Sequence, residues 1–162
     1  MGGRGWKRGL RLLLLVAAGA AIGGWFAHPR TTDEELILEL VARAEHGVET
    51  KSVQEIMDCV APDYEDETGL TRVDVWRLAM RWARSPERAD VVIEEYEVTV
   101  TPPTATGHVV GRVLVEQEGR YTAPLKLEVT VEFEKQRRRW RKVWLVKSIS
   151  EETVAQEYEG YS

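Results

Sequence analysis

The chain has 162 residues, 43% hydrophobic and 30% charged, which suffices for one domain beside terminal segments and is too ordinary a composition for general disorder. Five of its 22 basic residues, Arg4, Lys7, Arg8, Arg11 and Arg30, precede the first acid, Asp33, so the remainder sets 17 basic side chains against 27 acidic ones. That formal charge of −10 repels phosphates and argues against nucleic-acid binding, and a single cysteine, Cys59, excludes an intramolecular disulfide or a cysteine-rich metal site.

Residues 12–27 form an uncharged run of mainly Leu, Ala, Gly and Val behind four basic residues, the pattern of a secretory signal or signal anchor. Sixteen helical residues reach roughly 24 Å against a hydrocarbon core of about 30 Å. Extending the span to residues 9–29, with Arg11 snorkelling toward the headgroups, closes most of the gap. Trp6 and Trp25 fall where interfacial aromatics belong. Cleavage after Ala20 would leave a short signal core, and cleavage after Ala27 would place bulky Trp25 against the peptidase pocket. The expectation is therefore an uncleaved, single-pass anchor with its N-terminus in the cytoplasm and the domain outside, with a cleaved signal as the competing reading.

Past a polar joint at residues 28–32, Asp33, Glu34 and Glu35 suit a first helical turn. Leu36, Ile37, Leu40, Val41 and Ala44 recur at helical spacing, and Gly47 is expected to stop the helix. Ser52 with Glu55 caps a second, short helix whose stripe is Val53, Ile56, Met57 and Val60, ended by Pro62. Residues 63–69 read as an acidic loop. A third helix opens at Thr71 with Asp74, and it carries an apolar face (Val75, Trp76, Ala79, Met80, Trp82, Ala83) and a basic one (Arg72, Arg77, Arg81, Arg84). Ser85 and Pro86 close it.

From Asp90 the period changes to two. Val92, Tyr96, Val98 and Val100 are expected to share one face of a first strand, and Pro102 with Pro103 marks a turn. A second strand covers about 107–118, where Gly107 and Gly111 predict a bend or bulge. In the third, Leu125, Leu127, Val129, Val131 and Phe133 alternate with polar residues; a fourth covers about 139–149. Residues 151–162 are expected as a flexible acidic tail. The predicted division is an anchor at 1–30, a domain at 31–150 and a tail at 151–162. The domain is α+β: N-terminal helices packed in a strongly curved antiparallel four-stranded sheet, a cone, preceded by a transmembrane helix.

Three features carry a resemblance. A long helix is followed by a short one ending at Val60-Ala61-Pro62-Asp63-Tyr64; Asp66-Glu67-Thr68-Gly69-Leu70-Thr71-Arg72 leads into a third helix; Phe133-Glu134-Lys135 runs to Arg139-Trp140-Arg141-Lys142-Val143. In these the chain resembles the nuclear transport factor 2-like superfamily, also called SnoaL-like or cystatin-like, over residues 31 to about 150. The glycine common in that last hairpin is missing. The resemblance implies a conical cavity and no fixed chemistry, because such folds serve isomerases and cyclases as well as assembly and scaffold domains.

Function must then come from the site. Tyr64, Asp66, Trp76, Trp82 and His108 are the candidate cavity residues for a small hydrophobic ligand, with His108 or Asp66 as base in an isomerase- or cyclase-like enzyme. The plainer reading makes Tyr64 and Asp66 part of a solvated loop, the tryptophans core, and His108 a surface residue. Arg137, Arg138, Arg139, Arg141 and Lys142, interleaved with Trp140 and Trp144, are candidates for docking on anionic headgroups or an acidic partner. No metal-ligand spacing, nucleophile elbow or phosphate loop appears, so no catalytic residue, metal or cofactor is expected. The leading expectation is a non-catalytic, membrane-anchored binding or assembly domain, with a protein partner or a homodimer through the sheet. The enzyme is the alternative, and a cone plugged by Trp76, Trp82, Met80 and Phe133 would count against it.

Overall fold

The computed structural model describes residues 32–122 and 124–156, the last six as backbone only. Among these no helix is long and apolar enough to cross a membrane. The expected anchor lies outside the described residues.

Three helices come first: α1 (Asp33–Glu49), α2 (Val53–Cys59) and α3 (Arg72–Arg84). Thr32 and Glu35 cap α1 reciprocally, Thr32 Oγ1 accepting from Glu35 N at 3.2 Å and Thr32 N donating to Glu35 Oε2 at 2.9 Å. Ser52 Oγ accepts from Glu55 N, and Asp74 Oδ2 accepts from both the amide and the hydroxyl of Thr71. These bonds satisfy helix-end donors that would otherwise lack partners. Gly47 does not stop α1, which continues to Glu49. Its role is close packing, since a Cβ there would stand 3.1 Å from Glu55 Cβ and from Ile56.

The strands are β1 (Arg88–Thr101), β2 (Thr104–Gln117), the two-residue β3 (Arg120–Tyr121), β4 (Leu125–Arg138) and β5 (Arg141–Gln156). They form an antiparallel sheet in the order β1-β2-β4-β5, with β3 paired to β2. Three expectations about the sheet need correcting. It has five strands rather than four, because Arg120 and Tyr121 after the Gly119 turn pair back onto Gln117 and Glu116. The fourth long strand does not end near Ile149; it runs to Gln156, which pairs with Leu125, so half of the expected tail is sheet. Val92 does not share a face with Tyr96. Glu94 is an extra residue between the pairs Ile93↔Gly111 and Glu95↔Val110, and this bulge reverses the alternation. Ala89, Val91 and Ile93 turn inward before it, Tyr96, Val98 and Val100 after it, and Val92 is left outside. Gly111 permits the bulge: a Cβ there would lie 2.8 Å from the Val92 carbonyl oxygen.

The core lies between the inner face of the sheet and the helices. Ile37, Leu40, Val41, Ala44 and Val48 of α1 meet Val109, Val113, Leu127, Val129 and Phe133 of the sheet, all buried. Cys59 sits among them as a buried thiol, and burial pushes its pKa up to about 12. A second irregularity in β5, at Lys147, frees two carbonyl oxygens for the loop after α2. Ala61 N donates to Val146 O at 2.9 Å and Glu65 N to Lys147 O at 3.3 Å. The loop carrying Tyr64 and Asp66 is thereby stitched to the sheet.

Candidate functional site

Asp66 organises its own loop. Oδ1 accepts from Thr68 N at 2.9 Å, Thr68 Oγ1 at 2.7 Å and Leu70 N at 2.9 Å, while Gly69 N donates to the Asp66 carbonyl. The side chain is only 6% exposed, so the expected solvated loop is instead a buried carboxylate ringed by its own turn. Tyr64 is buried beside it. Asp66 Oδ2 and Tyr64 Oη are both buried without a hydrogen-bond partner among the described residues. Burial, and secondarily the Asp66 charge, raises the Tyr64 pKa, so the phenol stays neutral. A base must reach its substrate's proton, and the Asp66 oxygen that carries geometry here is committed to three donors.

The remaining candidates separate in space. Trp82 is core, 1% exposed, and its Nε1 donates to Val48 O at 2.8 Å, which ties α3 to the end of α1. Lys51 Nζ lies 4.9 Å from the centre of its ring. Phe133 is equally buried, so these two aromatics fill the interior. His108 points away from it. Alternation on β2 buries Ala105, Gly107 and Val109 and turns His108 to the outer face, where Nε2 stands 3.4 Å from Glu128 Oε1. The inward placement considered for His108 is thus not observed.

Trp76 and Met80 do not plug the interior either. Trp76 is exposed and Met80 half-buried on a flank of α3, where an open groove of about 530 Å³ is lined by Trp76, Arg77, Met80, Arg81, Arg84, Ser85 and Pro86. The cause is the width of the apolar stripe. Val75, Ala79 and Trp82 face the core, and Val73, Trp76 and Met80 are left on an adjoining flank. Arginines at 77, 81 and 84 rim this flank; Arg77 Nη1 holds Asp74 Oδ1 at 3.0 Å. The groove has an apolar floor and a cationic edge, and neither Tyr64 nor Asp66 contributes to it. Each lining residue was visible in the sequence, but which apolar side chains the core consumes depends on how α3 docks.

On the sheet's outer face, polar pairs prevail: Arg112 with Glu94, His108 with Glu128, Ser148 with Glu132. The β4–β5 hairpin exposes Arg137, Arg139, Trp140, Arg141 and Lys142, while Arg138 Nη2 is held by Asp58 Oδ1 at 2.7 Å. Among the described residues no three His, Cys, Asp or Glu side chains converge to hold a metal ion. One titratable group was not anticipated: half-buried Glu45 on α1, whose pKa burial, and then Glu49, pushes up to about 7.

The architecture is the cystatin-like, nuclear transport factor 2-like α+β fold. It is similar to a cystatin-like protein of unknown function from Nostoc punctiforme (TM-score 0.60, 14% identity, 82% of this chain and 98% of that one). An NTF2-like protein from Cytophaga hutchinsonii matches with TM-score 0.57 at 12% identity, over 75% and 98% of the two chains. The CaMKII hub of S. rosetta matches with TM-score 0.60 at 16% identity, over 81% and 100%. At such identities the likeness is one of fold. No family model and no curated relative matches the sequence.

Proposed function

We propose that this is a non-catalytic binding or assembly domain, held outside a membrane by residues 9–29, which takes an acidic protein segment with an apolar anchor into the α3 groove. The observation that carries this reading is the division of α3: Trp82 is buried in the interior while exposed Trp76 and half-buried Met80 line a groove with three arginines. Aromatic side chains and arginine are the usual anchors of protein interfaces. The cationic rim selects an acidic partner by charge complementarity. The outer face of the sheet is salt-bridged and polar, so it is a poorer surface for a homodimer than α3. The likeness to a CaMKII hub supports assembly as a use of this fold.

A photo-crosslinking residue placed at Met80 of the full chain, in its own cells, tests the assignment. Discrete protein adducts are expected at Met80, few at Thr99 on the outer face of the sheet, and loss of the Met80 adducts on Arg84→Glu. No adduct at Met80, or equal yields at both positions, would sink it.

A second reading has one observation in its favour: the buried, unpartnered Tyr64 Oη and Asp66 Oδ2. It places a small polar ligand beside that pair. The surrounding packing and the three donors on Asp66 Oδ1 weigh against it.

A further inference from the structure

Lys135 and Trp144 face one another across β4 and β5, and both donate to Asp33 Oδ1, Trp144 Nε1 at 3.0 Å. The start of α1 is thereby pinned to the base of the hairpin. Only residues 28–32 separate α1 from the apolar run, a reach of at most about 17 Å. Beyond Lys135 the hairpin continues past the turn between β1 and β2 for about 13 Å at the rise of a strand.

The tip is cationic where the rest of the domain is acidic. Arg137, Arg139, Arg141 and Lys142 are exposed, and none forms an ion pair with a carboxylate among the described residues. The neighbouring acids are already engaged: Asp33 by Lys135, Asp58 by Arg138 and Asp63 by Lys147. Between these cations Trp140 is 84% exposed, an amphipathic ring with no packing role in the fold. Arg139 adopts φ 57°, a left-handed conformation that glycine takes with less strain. A cation thus occupies the place where the backbone favours glycine.

We infer that the hairpin tip is a second membrane contact, docking Trp140 and its four flanking cations on the anionic headgroups of the leaflet from which the domain emerges. This rests on the reading that residues 9–29 anchor the chain. The short tether supplies a high local concentration of the leaflet, and each cation near an anionic surface adds to the attraction. Indole rings settle at headgroup level.

The test is hydrogen–deuterium exchange of the full chain in nanodiscs of phosphatidylcholine alone or mixed with phosphatidylglycerol. Hairpin amides should exchange about tenfold more slowly in the anionic discs, and the quadruple variant Arg137→Gln, Arg139→Gln, Arg141→Gln, Lys142→Gln should abolish the difference. Equal exchange in both discs, or slowing that survives in the quadruple variant, overturns the docking while leaving the anchor standing. A chain recovered free of the discs overturns both. Slowing by added polyglutamate but not by the discs would overturn the lipid assignment in favour of an acidic protein.

Discussion

At the scale of single residues, the informative side chains are those whose surroundings differ from their type. Asp66 lies in a segment so acidic that its sequence suggests a solvated loop, yet three donors converge on one of its oxygens. Asp66→Ala should cost about 1–3 kcal/mol, read as a lower urea midpoint, because buried donors lose their acceptor. An unchanged midpoint would show that the turn holds without it. Glu45 gives a pH signature. Its folded pKa stands at about 7, above the ordinary 4.5, so the folded state binds a proton more tightly than the unfolded one between these values. The contribution of Glu45 to stability is full below about 4.5 and is lost as pH rises through about 7. Glu45→Gln should therefore raise Tm at pH about 8 and leave it nearly unchanged near pH 4. Equal shifts at both would contradict the assignment. Neither environment was legible in sequence, because both depend on which neighbours the fold brings near.

At the scale of elements, helix positions and caps were readable because they depend on local spacing: Thr32 with Glu35, Ser52 with Glu55 and Thr71 with Asp74 all sit at helix starts. The face of β1 was not, because Glu94 reverses its alternation and a bulge depends on the partner strand. Gly111 was visible as the site of an irregularity, though not its purpose. Gly111→Ala should destabilise by about 1–3 kcal/mol, since the new methyl meets the Val92 carbonyl rather than a movable side chain. The two tryptophans of α3 should separate cleanly. Trp82→Ala should cost about 3–5 kcal/mol for the cavity it leaves. Trp76→Ala, at a side chain 47% exposed, should cost under about 1 kcal/mol and act on binding instead. Comparable losses would mean that both belong to the core.

At the scale of the whole molecule, α1 sets a direction. Its start is tied to the hairpin through Asp33, and its end lies near Val91 and Ser85 through Glu49 and Lys51. At about 1.5 Å per residue the helix spans roughly 25 Å, so the cationic hairpin and the last turn of the α3 groove lie at opposite ends of the domain. With residues 9–29 in a membrane, the groove's Pro86 end would face away from it, as a docking surface requires. The α+β class and the order of the three helices and four long strands followed from periodicity with cap and turn signals, whereas the two-residue β3 was too short to show a period. The state of the interior did not, because helix and strand patterns fix which faces are apolar but not whether facing side chains meet. Here Trp82, Phe133, Ile37, Leu127 and Val109 belong to one core and are almost wholly buried. A binding domain, rather than an enzyme built on a cavity, is proposed in part on that packing. Pressurising a crystal of the protein with xenon tests it most directly, since apolar voids take up the gas. The packing described predicts no xenon between the sheet and α1; an ordered xenon site among Val109, Leu127 and Phe133 would contradict it and return the interior to candidacy as a ligand site.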